Sequence, residues 1–158
     1  PHRIVVSAEF LQSVAGAPVF KLMEILKEKY NIVDFDIEKS AIQKEEIFRS
    51  LIPQIKPVKP VMDLFHKYHG KMPIACGTGG ERLNAIPTLK ALGILEKVDA
   101  IVTCDDVVHG KPAPDTFLKC AELLGVHPSE CQVFEDADLG IQAAKAGGMM
   151  VTDVRLYK

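Results

Sequence analysis

Several common signatures are missing from this chain. No C-x-x-C pair occurs among its four cysteines, Cys76, Cys104, Cys120 and Cys131, which argues against a zinc or dithiol redox motif. Neither charge sign dominates: 19 basic against 21 acidic side chains leave a net charge of -2. Nothing global therefore points to nucleic acid or an anionic membrane as a partner. No apolar run approaches the roughly 20 residues needed to span a bilayer, and no leader-like segment is expected at the front. Repeats, linkers and low-complexity stretches are absent too. What remains is an ordinary water-soluble composition, 158 residues with 47% hydrophobic and 25% charged, long enough for one good core. Three of the cysteines lie in apolar, strand-like runs and read as buried free thiols, which suits a reducing cytoplasm. The chain begins with Pro1 rather than Met and is expected to be processed, excerpted or partial.

The two parts of the sequence carry different periodicities. From about Ser7 to Tyr68 the pattern is helical, with no clear strand. Val19, Leu22, Met23, Ile25 and Leu26 form an apolar stripe at helical spacing. Glu45 to Ile52 suggests a second helix closed by Pro53, and Val61 to Tyr68 a third ending at Gly70. From Met72 onward short apolar runs alternate with helical ones. Strands are expected at Pro73 to Cys76, Ala100 to Thr103, Gln132 to Phe134 and Met149 to Val151. Helices are expected at Arg82 to Leu92, Pro114 to Leu124 and Gly140 to Ala146. Alternation of this kind predicts an α/β fold with a Rossmann-like parallel sheet.

The polar residues that could do chemistry fall after the predicted strands, where ligands of open α/β sheets bind. Thr78-Gly79-Gly80 follows the first strand and opens a helix. Two glycines let the backbone approach an anion, the helix N-terminus favours negative charge, and the Thr78 hydroxyl could donate to a phosphate oxygen. A plain strand-to-helix turn would look similar. Lys111 lies in the run Gly110-Lys111-Pro112-Ala113-Pro114-Asp115. The two prolines stiffen the loop, so a held ammonium could neutralise a phosphate or a carboxylate; the other reading is a solvated loop lysine. Glu135-Asp136 closes the third strand, with Asp138 nearby. Adjacent carboxylates repel unless water or a cation screens them, and hard oxygen ligands suit Mg²⁺; a solvated acidic turn that caps the next helix is the alternative.

Taken together, Ile74-Ala75-Cys76-Gly77-Thr78-Gly79, the Gly-Lys-Pro-Ala-Pro-Asp run and the stretch from Phe134 to Met149 resemble motifs two, three and four of the haloacid dehalogenase superfamily. The resemblance is to the branch of fructose-1-phosphate phosphatases and β-phosphoglucomutases. It implies an HAD-like core over residues 70–158 and an N-terminally truncated helical cap over 1–69, with Gly16-Ala17-Pro18 as the substrate-facing cap loop. It implies that Thr78 and Gly79 bind the transferring phosphate, that Lys111 bridges phosphate and nucleophile, and that Glu135 and Asp136 serve Mg²⁺. The implied substrate is a small phosphorylated metabolite such as a sugar phosphate, cleaved through an aspartyl-phosphate.

The nucleophile of that family is the first Asp of an Asp-x-Asp-Gly-Thr motif on a strand before the cap, and this chain has no such motif. The Asp34-Phe35-Asp36 sequence is not a substitute: Ile37 and Glu38 stand where Gly and Thr belong, and Asp36 is expected to cap the following helix. The missing strand would lie between the strands ending at Thr78 and Glu135. Those strands are expected to pair directly, to borrow a strand, or to stay as open edges prone to self-association. Aligned on Gly16, Val19 stands where the β-phosphoglucomutases have a cap arginine, which favours a monophosphate phosphatase over a mutase. Lys44 is a candidate cap cation, with a solvated helix lysine as the alternative; His109 and His127 are assigned no role. A non-catalytic relative that binds a phosphometabolite or a partner protein is the competing expectation.

Overall fold

The structure is a computed structural model and describes residues 5–157. Four helices come first: α1 (Ala8–Ser13), α2 (Val19–Lys29), α3 (Ile37–Leu51) and α4 (Lys59–Tyr68). Local chemistry sets their ends. Pro18 immediately precedes α2, and Lys27 and Lys29 lie in its last turn, where cations complement the helix dipole. Asp36 caps α3, its Oδ1 accepting the Lys39 amide at 2.9 Å. The expected helix at Glu45 thus begins eight residues earlier, because its first turns carry the cap and not an obvious apolar stripe. Helices α2 and α3 pack as a hairpin around Val19, Met23 and Ala41, with Leu22, Leu26, Phe35 and Ile37 closing the cluster.

The rest alternates as expected: β1 (Ala75–Gly77), α5 (Arg82–Ala91), β2 (Ala100–Val102), α6 (Asp115–Leu124), β3 (Gln132–Glu135), α7 (Asp138–Ala146) and β4 (Met150–Asp153). Every strand pairing is parallel. Ala75 lies opposite Ala100, and Gln132 opposite Met150. The fold is α/β, as expected, but among the described residues its strands form two separate pairs, β1–β2 and β3–β4, rather than one sheet. Among the described residues, strands β1 and β3 do not pair directly with each other.

Helix α6 ties the two halves together. It packs on β1, β2 and α7, and its Phe117 and Ala121 join Ala143, Ala144 and Met149 in the main apolar cluster, which Cys131, Val133 and Val151 complete. Gly125 ends α6 at φ 65°, a left-handed conformation that costs glycine little. The opposite face of the β3–β4 pair is poorly covered: Phe134 and Met150 are 41% and 52% exposed. Parallel strands are normally buried on both faces.

Candidate active site

Three loops after the strands converge. The first is anchored by its neighbour: the Thr78 amide donates to the Val102 carbonyl at 2.9 Å, which carries the β1–β2 ladder one residue past the strand. Thr78 Oγ1 accepts the Gly80 amide at 3.1 Å. As an acceptor in that turn the hydroxyl keeps its proton for a ligand. Farther along, the Arg82 guanidinium pairs with Asp106 at 2.6 Å and its amide donates to Asp105 at 2.8 Å, fixing the start of α5. The Thr103 amide and hydroxyl, followed by Arg82, hold the Asp106 carboxyl below the usual carboxylate range.

The second loop delivers Lys111, and here the solvated reading fails: its side chain is 5% exposed. The ammonium donates to Glu135 Oε2 at 2.7 Å and to the Gly77 carbonyl at 3.3 Å, and lies 4.5 Å from the centre of the Phe117 ring. A buried ammonium without such partners would be costly. Lys111 thus links the end of β1 to the end of β3, where no strand hydrogen bonds join them. Behind it, burial pushes the Cys76 thiol up, with the nearby Lys111 charge working the other way.

The third loop supplies Glu135. Its Oε1 accepts the Asp136 and Ala137 amides at 3.1 and 3.0 Å, while Oε2 holds Lys111. A Cβ at Gly140 would overlap the Glu135 side chain, so the glycine makes room for the carboxylate over the first turn of α7. Glu135 thus closes the turn between β3 and α7 without capping the helix itself. Asp136 is exposed. Two carboxylates alone do not complete a Mg²⁺ shell, and Glu135 already accepts from Lys111 and two backbone amides. Among the described residues, no group of three or more His, Cys, Asp or Glu side chains is placed to hold a metal.

The cap loop meets all three. The Gly16 carbonyl lies against Gly79, where a Cβ would collide with it. A Cβ at Gly16 would sit 3.7 Å from Lys111 Cδ and 3.8 Å from Ala137 Cβ, and one at Gly110 would sit 3.5 Å from Pro18 Cγ. Ala17 is tied within the loop, its amide donating to Val14 at 3.1 Å. Sequence reasoning missed two further links. Gln12 of α1 donates to the Asp136 carbonyl at 2.6 Å. Buried Glu45 of α3 accepts from Asn84 of α5 and pairs with Lys44 at 2.7 Å. Ser7 capping Phe10 was the local signal for α1; nothing in spacing pointed to Asn84. Asp36 is spent on its helix cap, and Asp34 lies on an exposed turn between α2 and α3, not on a strand. His109 and His127 stay outside the cluster; the His127 ring pairs with Ser129 at 2.8 Å.

The family profile of haloacid dehalogenase-like hydrolases matches residues 2–148. The chain belongs to this family. Within it, the chain is 46% identical over 142 residues to the fructose-1-phosphate phosphatase YqaB of Escherichia coli K12, covering 89% of this chain and 74% of that protein. It is 40% identical over 81 residues to a β-phosphoglucomutase of Bacillus subtilis, covering 51% of this chain and 36% of that one. Among solved structures, a β-phosphoglucomutase from Clostridium difficile superposes with a TM-score of 0.76 at 27% identity, over 92% of this chain and 68% of that chain. These relatives support the sugar-phosphate phosphatase and phosphomutase branch of the HAD-like hydrolases. No helix among the described residues is long and apolar enough to cross a membrane.

Proposed function

We propose that this chain carries the phosphate grip and the cap loop of a sugar-phosphate phosphatase, with a fructose-1-phosphate-like ester as the substrate class. The observation that carries this reading is the buried Lys111 ammonium, held between Glu135 and the Gly77 carbonyl beside Thr78. A phosphoryl group seated there would receive a hydrogen bond from the Thr78 hydroxyl and charge compensation from Lys111. Glu135 orients the lysine rather than attacking, because Lys111 and two backbone amides already use its oxygens. Transfer through an aspartyl-phosphate needs a carboxylate to bond to phosphorus as the ester oxygen leaves with a proton, and neither Asp34 nor Asp36 is on a strand of this core.

The expected outcome is therefore binding without turnover. Purified chain assayed on fructose 1-phosphate and a chromogenic phosphomonoester should release no phosphate. Inorganic phosphate should bind by calorimetry and weaken at least about tenfold in Lys111→Ala, the loss of roughly 1.4 kcal/mol or more. Turnover abolished by Lys111→Ala would overturn the inactive reading. Phosphate binding indifferent to that substitution would overturn the site. Coding DNA upstream of Pro1 separates the catalytic parent from the non-catalytic relative, since an in-frame Asp-x-Asp-Gly-Thr there supports the parent. By the family resemblance, Val19 stands where the mutases carry a cap arginine; it is buried and uncharged, which favours a phosphatase over a mutase. The division into cap (1–69) and core (70–158), a Mg²⁺ requirement of the complete site and a cytoplasmic setting belong to the same proposal. So does self-association through the open β1 and β3 edges, against which a stable monomer by light scattering would count.

A further inference from the structure

Arg155 joins two carboxylates from different elements beside the acidic loop of the site. It sits in the short turn Val154–Tyr157 that follows β4, next to buried Val154. Its Nε donates to Asp153 Oδ1 and Oδ2 at 2.9 and 3.1 Å, its Nη2 to Asp153 Oδ2 at 2.6 Å, and its amide to Asp153 Oδ1 at 3.0 Å. The remaining arm, Nη1, pairs with Asp138 Oδ1 at 2.8 Å. Asp153 ends β4 and lies opposite Glu135 in the parallel register. Asp138 opens α7, three residues past Glu135. The loop between β3 and α7 is therefore closed into a ring. Strand pairing fixes one end against Asp153, and the guanidinium fixes the other end to the same residue. The N-cap of α7, Ala137, makes no side-chain cap bond of its own.

We propose that Arg155 is a positioning residue of the anion site: its fork holds the 136–138 loop where Glu135 accepts two backbone amides with Oε1 and still reaches Lys111 with Oε2. The proposal rests on the phosphate-site reading above and adds to it a residue that acts on Lys111 through Glu135. The route is short. The amides that hold Oε1 are those of Asp136 and Ala137, at 3.1 and 3.0 Å, and Oε2 holds Lys111 at 2.7 Å. The first turn of α7 also walls the carboxylate, since a Cβ at Gly140 would overlap it. A shift of Asp138 thus moves the groups on which the Glu135 carboxylate rests. Arginine suits the task because its planar guanidinium presents one edge to Asp153 and a separate N–H to Asp138, which a single ammonium cannot copy. The clamp is partly exposed, Arg155 by 32% and Asp138 by 49% of their side chains. Such pairs contribute little to global stability, so a local effect on the site is separable from folding.

Calorimetric titration of the full chain with inorganic phosphate tests this, comparing wild type, Lys111→Ala, Arg155→Met, Arg155→Lys, Asp138→Ala and the double variant Arg155→Met/Asp138→Ala. Circular dichroism checks folding, and NMR exchange follows the Asp136 and Ala137 amides. Arg155→Met should weaken phosphate binding roughly 3- to 10-fold, the scale of one lost hydrogen bond. It should also speed exchange of those two amides while α6 stays protected. Arg155→Lys keeps the charge and should not restore the affinity. Asp138→Ala decides the sign: removing a carboxylate near an anion tightens binding if charge alone matters, whereas losing the clamp weakens it. The double variant should bind no more weakly than Arg155→Met, because both changes cut one link. Unchanged affinity in Arg155→Met, wild-type affinity in Arg155→Lys, or unchanged or tighter binding in Asp138→Ala overturns the clamp, and the site still stands if Lys111→Ala weakens binding. Absence of Lys111-dependent binding in the wild type overturns the site, and the clamp with it.

Discussion

The α2–α3 hairpin and the α/β half are stabilised by different means. In the hairpin, stripe residues Val19, Met23 and Ala41 from two adjacent helices bury one another, and the chain connecting them is short. In the α/β half, strands of three or four residues pair across long crossovers, and two half-sheets meet through an ion pair rather than a ladder. The hairpin is a local object. The other half depends on contacts far apart in sequence, among them Lys111 with Glu135 and Thr78 with Val102. The candidate site lies in the half that is less self-sufficient, where loops that converge from several strands can aim groups at one point.

The comparison breaks most sharply at Lys111. Lys111→Met leaves the Glu135 carboxylate, 13% exposed, without its cation, and should cost about 3–5 kcal/mol by urea unfolding, the usual result of stripping one partner from a buried pair. Adding Glu135→Gln should restore much of that. If Lys111→Met alone leaves stability untouched, the half-sheets are not held by this pair. Next comes Met23→Ala in the hairpin, 6% exposed, with an expected cost of about 2–4 kcal/mol. Hydrogen exchange should show the loss confined to residues 19–51, with α6 protected; simultaneous loss in both halves would erase the distinction between them.

Asp36→Ala removes the α3 cap and should cost about 1 kcal/mol in thermal or urea unfolding. It should also leave the chain's phosphate binding unchanged, which checks that Asp34-Phe35-Asp36 belongs to the helix start and not to chemistry. The smallest effect is in pH. All four cysteines lie in the α/β half, and burial pushes the Cys120 thiol up to about 12. Because folding raises this pKa, its contribution is complete below the unfolded thiol value of about 8.5 and is lost as the pH rises toward about 12. Protection of α6 should therefore fall before that of α2–α3 on an alkaline series, and Cys120→Ala should flatten that limb. Equal sensitivity of the two halves would count against the assignment.

Much of this was legible in the residues, for stated reasons. The stripe from Val19 to Leu26 and the four apolar runs reported their own elements, since periodicity and caps are local. The convergence of Thr78, Lys111 and Glu135 followed from motif order. What spacing could not reveal was that Lys111 would be buried, that Glu135 would face it with both oxygens engaged, or that α3 would begin at Ile37. The start of α3 was hidden because a cap and a charged first turn carry little hydrophobic signal.

By itself, the amino-acid sequence determined the alternation of helices and strands and the family, because each is written in short windows of neighbouring residues. Only the tertiary structure decided that the described strands form two pairs, that a lysine bridges them, that Gln12 reaches the Asp136 carbonyl, and that Gly16 lies against Gly79. Those outcomes depend on which distant surfaces can approach without collision. That is settled by packing in three dimensions, where a missing Cβ at Gly79 or Gly140 counts as much as any motif.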